Sequence, residues 1–248
     1  MTAFPYDLQE DMLPRLGLIV LQVDETIEQD FRRLFATDIA RVHISRVPSG
    51  AELTPESIAT METALPAAAS LLPGGLDVVG YACTSGTTLI GAERVRDLIM
   101  GATQCRSVTD PLTAVLAQCD ALGLGQIGIV SPYVASVAEP IRAAFEAAGI
   151  TVAATLSFGE EVEAKVARIA PESIANAARE LARHAALDGI FLSCTNLRTL
   201  DILDPLAHEL GLPVLSSNQC LAWHMASICG ISPPPGPRCQ SQPGLIQP

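Results

Sequence analysis

The sequence predicts an α/β fold of two pseudo-symmetric Rossmann-like lobes with parallel sheets, facing each other across a cleft. Three observations predict it. Residues 77–89, DVVGYACTSGTTL, and 188–200, DGIFLSCTNLRTL, each place an Asp six residues before a Cys, a Thr directly after it, and a Thr-Leu pair five and six residues beyond it, at an offset of 111 residues. The same offset aligns Leu16-Gly17-Leu18-Ile19-Val20 with Ile127-Gly128-Ile129-Val130-Ser131, while PESIA recurs at 55–59 and 171–175 with an offset of 116, so five extra residues are later compensated by a shorter segment. Short apolar, β-branched runs also alternate with helical stretches, the pattern of parallel strands joined by crossover helices.

The elements follow in order. Residues 1–14 form an N-terminal extension. The first lobe, roughly 15–110, has strands over 16–23, 40–46, 76–82 and 106–108. Its main helix opens at Thr54-Pro55-Glu56, an N-cap, a Pro at the first helical position and an early acid, and runs to about Leu72. Asp110-Pro111 opens a connecting helix, residues 111–125, which Gly123 ends. The second lobe, roughly 126–218, has strands over 126–131, 151–156, 189–193 and 213–215, with Ala170-Pro171-Glu172 opening a helix that ends near Leu187. The last helix, 219–230, is expected to pack back on the first lobe. Residues 231–248, containing PPPGPRCQSQPG, have too much Pro and too little apolar content to fold alone and read as a mobile tail, which removes Cys239 from the candidates.

Composition narrows the function. With 27 acidic against 15 basic residues the net charge is −12, which argues against nucleic acid and anionic membrane surfaces as partners. Apolar runs such as 16–23 are too short to span a bilayer. Asp7, Glu10 and Asp11 interrupt the start, which does not read as a secretory signal, so a cytoplasmic setting is expected. The seven cysteines form no CxxC pair and no metal-like spacing with the four histidines. Reduced thiols and no metal or cofactor are therefore expected.

Cys83 and Cys194 each end a predicted strand just before a helical segment. In open parallel sheets that edge binds ligands, and a helix N-terminus there stabilises a thiolate. Thr84, Ser85, Thr195 and Asn196 offer neutral donors suited to a carboxylate. A strand-ending Cys is also a good packing residue. Its recurrence at two equivalent addresses, on lobes that bring the thiols to opposite sides of one cleft, favours catalysis. Tyr133, following Pro132 just after a strand, also fits a cleft position. The histidines read as solvated or core-edge residues, and Glu160, Glu161 and Glu163 as a solvated helix start.

GYACTSGT around Cys83, SPYVASVAEPI around Tyr133 and FLSCTNLRTLDILDPL around Cys194 resemble the aspartate/glutamate racemase superfamily. More narrowly, they resemble its branch of maleate cis-trans isomerase, arylmalonate decarboxylase and ectoine-utilisation protein A, over nearly the whole chain from Arg15 to about Gly230. The resemblance implies a cofactor-independent isomerase or racemase, typically a homodimer, with its active site between the lobes and Cys83 and Cys194 flanking a small carboxylate substrate. It carries the carboxylate cradle onto Thr84, Ser85, Tyr133, Thr195 and Asn196. The decarboxylases keep only the second cysteine and have Gly at the first, which makes decarboxylation the less expected reaction.

One departure stands out. Where maleate isomerases have an Asn after the first strand, this chain has Asp24, whose charge disfavours a plain dicarboxylate and suits a cationic or amidine group, as in ectoine or hydroxyectoine breakdown. Asp24 is also a natural cap for a helix starting at Glu25. A competing reading from another class is a non-catalytic two-lobe module that binds small molecules.

Overall fold

The computed structural model describes residues 3–9, 12–52, 54–232 and 234, and its eight named strands form two four-stranded parallel sheets of identical order. Strands β1 (Arg15–Leu21), β2 (Arg41–Val47), β3 (Leu76–Ala82) and β4 (Cys105–Thr109) stand in the order β2-β1-β3-β4, and β5 (Gln126–Ser131), β6 (Thr151–Ser157), β7 (Gly189–Leu192) and β8 (Val214–Ser216) stand as β6-β5-β7-β8. All eight predicted strands are present, with ends displaced by one or two residues; β1 stops at Leu21 because the chain turns there.

The Asp that opens each repeated motif explains part of this order. Asp77 Oδ2 accepts the backbone N–H of Arg15 at 2.8 Å, and 111 residues on Asp188 Oδ2 accepts that of Gln126 at the same 2.8 Å. Each carboxylate therefore ties the third strand of its sheet to the start of the first. The duplicated glycines share a contact too: a Cβ on Gly17 would stand 2.9 Å from Leu76 Cδ1, and one on Gly128 2.9 Å from Leu187 Cδ1.

The connecting helices are α1 (Ile27–Leu34), α2 (Pro55–Ser70), α3 (Thr84–Ile90), α4 (Ala92–Met100), α5 (Pro111–Leu122), α6 (Ala135–Ala147), α7 (Glu163–Val166), α8 (Pro171–His184), α9 (Leu203–Leu210) and α10 (Ser217–Cys229). Their starts follow local chemistry. Thr54 and Ser57 form a reciprocal capping box on α2, and Asp110 Oδ1 accepts the Thr113 N–H at 2.8 Å on α5, which ends at the left-handed Gly123.

One apolar cluster runs through both sheets, from Ile19 and Val79 to Ile129, Phe145 and Phe191. A second lies where α1 and α10 meet the first sheet and includes Leu18, Val20, Phe31, Val78, Leu221 and Met225. The chain thus leaves the second sheet at β8 and returns through α10 to β3 and α5. Each fully buried Leu, Val or Phe in these clusters contributes about 1.5–3 kcal/mol relative to exposure. Among the described residues no helix is long and apolar enough to cross a membrane. The expected tail, with Cys239, lies outside the described residues apart from 231, 232 and 234.

Candidate active site

Cys83 directly follows β3 and is the N-cap of α3, with extended backbone (φ −151°, ψ 108°). The Gly86 N–H donates to its Sγ at 3.1 Å, and Ser85 Oγ lies 3.6 Å from the sulfur. Only glycine permits this approach, since a Cβ at residue 86 would stand 2.8 Å from Sγ and 2.7 Å from the Tyr81 hydroxyl. The helix predicted after the first cysteine is therefore present and aimed at the thiol.

Cys194 occupies the equivalent edge position but is built differently. No helix follows it: the chain makes a turn at Thr195 and Asn196, and α9 starts only at Leu203. Cys194 itself adopts φ 155°, the one positive φ at a non-glycine among the described residues, where Cys83 is extended at φ −151°. Such a conformation is costly and persists only where surrounding contacts hold it. Here the Cys194 N–H donates to Ser217 Oγ at 3.1 Å, and the Asn196 N–H donates to Sγ at 3.3 Å. The Tyr133 hydroxyl acts on this sulfur as well, favouring its thiolate.

Two hydrogen bonds bring the edges together. Ser217 Oγ lies 2.9 Å from Thr84 Oγ1, and Thr195 Oγ1 donates to the Ala82 carbonyl at 3.3 Å. Thr84, Ser85, Tyr133, Thr195 and Asn196 are all buried, with Ser85 at the Cys83 sulfur and the Asn196 N–H at that of Cys194. Asn196, expected as part of a carboxylate cradle, has its amide committed within the protein. Its Oδ1 accepts the Glu25 N–H at 2.9 Å, and its Nδ2 donates to Glu163 Oε2 at 2.7 Å and to the Glu163 carbonyl at 3.1 Å. A large apolar recess of about 610 Å³ lies elsewhere, between α1 and β2, and includes none of these residues in its lining.

Asp24 supports the entry to a helix that starts two residues later than expected and has Thr26 as its N-cap. Its Oδ1 accepts the N–H groups of Thr26 and Ile27 at 2.8 and 2.9 Å, and α1 begins at Ile27. Its Oδ2 is buried without a well-formed hydrogen bond; the Thr195 hydroxyl acts on the carboxyl but is turned to Ala82. Burial raises the Asp24 pKa against these backbone donors and the more distant Arg46.

Glu163 corrects the sequence reading outright. It is 2% exposed, whereas the neighbouring Glu161 is on the surface. Glu163, Val166 and Ala167 form an i, i+3, i+4 set whose members are all buried, and that spacing was the available signal. Burial pushes its carboxyl up to about 7, opposed by the Asn196 bond and reinforced by Asp24.

These surroundings decide the state of the thiols. Burial raises Cys83 to about 11 despite the donors Ser85 and Gly86, and the charge of Glu163 adds to the rise. Burial, then Glu163, raise Cys194 well above the usual thiol range, against Tyr133 and the Asn196 N–H. The expectation of stabilised thiolates is therefore not met: both thiols are raised. Desolvation outweighs the donors, and the nearest charges are negative. Both sulfurs rest as thiols.

Two duplicated α/β sheets with a cysteine at the same edge of each define a two-lobed protein of the aspartate/glutamate racemase-like fold. The chain belongs to the arylmalonate decarboxylase family, whose profile matches residues 17–239. It is 26% identical to an arylmalonate decarboxylase of Bordetella bronchiseptica over 230 residues, covering 90% of this chain and 93% of that one. It is 26% identical over 219 residues to a maleate isomerase of Nocardia farcinica, covering 82% and 85%. In three dimensions it resembles the Nocardia farcinica maleate cis-trans isomerase carrying a covalently bound succinylcysteine intermediate, with a TM-score of 0.78 at 23% identity over 88% of this chain and 94% of that one.

Proposed function

We propose that this protein is a cofactor-independent enzyme in which Cys83 and Cys194 act from opposite sides on a small carboxylate substrate, as an isomerase or racemase. The observation that carries the reading is that the two duplicated cysteines, each with a backbone donor on its sulfur, stand on edges joined by one hydroxyl, Ser217 Oγ, which meets the Thr84 hydroxyl on one side and accepts the Cys194 N–H on the other. Thr84, Ser85, Tyr133 and Thr195 are the candidates for holding the carboxylate, with Asn196 positioning the turn beside Cys194.

Two reaction courses use these groups. In racemisation, one cysteine as thiolate takes the proton from the carbon beside the carboxylate, the C–H electron pair is delocalised into that carboxylate, and the other cysteine as thiol returns a proton on the opposite face. In cis-trans isomerisation, a thiolate adds to the double bond. The π pair moves to the neighbouring carbon, rotation follows about the new single bond, and elimination restores the thiolate. Both courses start from a thiolate, so substrate binding must lower a thiol pKa that burial has raised.

A second reading concerns the substrate. The buried, unsatisfied Oδ2 of Asp24 favours a carboxylate that carries a positive or hydrogen-bond-donating group at its other end, including a cationic or amidine compound of the ectoine type. The test is proton NMR in D2O with panels of small carboxylates, with and without EDTA. Deuterium incorporation beside the carboxylate, or cis-trans conversion, insensitive to chelation, is expected. Absence of both across dicarboxylates and zwitterions would overturn the proposal.

A further inference from the structure

Four carboxyls are buried among the described residues; Asp110 is satisfied by Thr113, and the positive charge near the other three, Asp24, Asp30 and Glu163, is spent elsewhere. Arg46 donates through Nη1 to the carbonyls of Leu21, Gln22 and Asp24, and through Nη2 to Glu28. Lys165 pairs with Glu160, and Arg168 with Glu25. Asp30 is satisfied by Asn218 Nδ2 at 2.8 Å and sits on α1. Glu163 has Asn196 Nδ2 as its one hydrogen-bond donor among the described residues.

The other groups acting on Glu163 come from four separate elements. Asp24 lies on the loop after β1, Cys83 follows β3, Tyr133 follows β5, and Cys194 follows β7. None is cationic. Two segments fix Glu163 in place: its N–H donates to the Ala51 carbonyl at 3.0 Å, and Asn196 links it to the Asp24–Glu25 turn. Asn196 thus ties both the Glu163 carboxyl and the Asp24–Glu25 turn to the Cys194 sulfur, on which its own N–H donates, and one oxygen of Asp24 is buried and unsatisfied.

We propose that Glu163 is a specificity-determining residue which, with Asp24, receives a positively charged or hydrogen-bond-donating group at the end of the substrate remote from its carboxylate. This rests on the reading of the space between Cys83 and Cys194 as the substrate site. The missing cation is then the substrate's own. Its arrival offsets the negative charge that adds to burial in keeping both thiols neutral, and so favours the thiolate where the reaction needs it. A dicarboxylate does the opposite.

The experiment compares succinate with 4-aminobutanoate, a non-reacting pair of similar length that differs in the charge of one end. Binding to the full chain is measured by isothermal titration calorimetry near pH 7 in two buffers of different ionisation enthalpy, which counts the protons exchanged. In wild type, 4-aminobutanoate binds at least about tenfold more tightly than succinate. It releases a fraction of a proton, at most about half for a group titrating near that pH, whereas succinate takes one up. Glu163→Gln, which keeps the acceptor for Asn196, reduces the preference about tenfold, abolishes the proton exchange and strengthens succinate binding. A misfolded variant could not show the gain in succinate affinity.

Protection of Cys83 and Cys194 from alkylation separates the two levels of the argument. If either ligand protects the thiols but the affinities are equal, or Glu163→Gln changes neither preference nor proton count, the role of Glu163 is overturned and the site stands. If neither ligand protects or binds, the reading of the cleft as a carboxylate site is overturned, and the role of Glu163 with it.

Discussion

Ser217 Oγ lies 2.9 Å from Thr84 Oγ1, joining a hydroxyl at the start of α10 to one at the start of α3, 133 residues earlier in the chain. The same oxygen accepts the Cys194 N–H at 3.1 Å, so one small side chain sets the spacing of both cysteine edges. Ser217→Ala leaves a buried N–H and a buried hydroxyl without this partner. We expect a loss of about 1–3 kcal/mol in urea-unfolding stability and a fall in kcat larger than any change in KM. Unchanged stability and kcat would make the contact incidental.

Cys83→Ser and Cys194→Ser should each reduce solvent-proton exchange or isomerisation by at least about 10²-fold, the lower range for loss of a general acid or base. A serine hydroxyl is a far weaker acid and nucleophile than a thiol. Circular dichroism should remain that of the wild type. Retention of substantial turnover in either variant would refute a mechanism using both thiols.

Asp24→Asn keeps an oxygen to accept the Thr26 and Ile27 N–H groups while removing the charge. The expected outcome is a kcat/KM for maleate raised roughly tenfold and a comparable loss on a cationic substrate. If maleate is already turned over efficiently by the wild type and neither value changes, Asp24 serves only to support the entry to α1.

Asp30 gives a prediction for stability against pH. Burial raises its folded-state carboxyl from 3.8 to about 6, above its unfolded value. Its contribution is fully present below about pH 4, where folded and unfolded chains are both protonated, and is lost as the pH climbs through about 6. The difference corresponds to roughly 3 kcal/mol at neutral pH. Asp30→Asn, which can still accept from Asn218 Nδ2, should raise the melting temperature at pH 7–8 and leave it nearly unchanged at pH 4. An effect equal at both pH values would rule out this origin.

Much of the architecture was legible because buried parallel strands read as continuous apolar runs, and because the Asp-Cys-Thr spacing survives in both copies. Cys83 and Cys194 stood out from the other cysteines by their recurrence at equivalent strand ends, to which the family resemblance added. Glu163 was misread because its neighbours Glu160 and Glu161 are acidic as well, and only the spacing to Val166 and Ala167 marks the buried face. Ser217 was invisible, since its partners are distant in sequence and a serine opening a helix has an ordinary local explanation. The turn after Cys194 was missed because nothing in Thr195-Asn196 forbids a helix; it is held by contacts distant in sequence, from Asn196 to Glu163 and Glu25 and from Thr195 to Ala82.

The carboxylates of Asp77 and Asp188 give this arrangement an unexpected lever. Asp77 fastens β3 to the first residue of β1, and those two strands end at Cys83 and at the loop bearing Asp24; Asp188 fastens its segment to β5, and there the strands end at Cys194 and Tyr133. Six residues of extended chain separate each Asp from its cysteine, about 20 Å. Strands slide as whole ladders, so an error at one end is delivered undiminished to the other. The alignment of the two cysteine edges is thereby set from the opposite rim of each sheet, by Asp77 in one and Asp188 in the other.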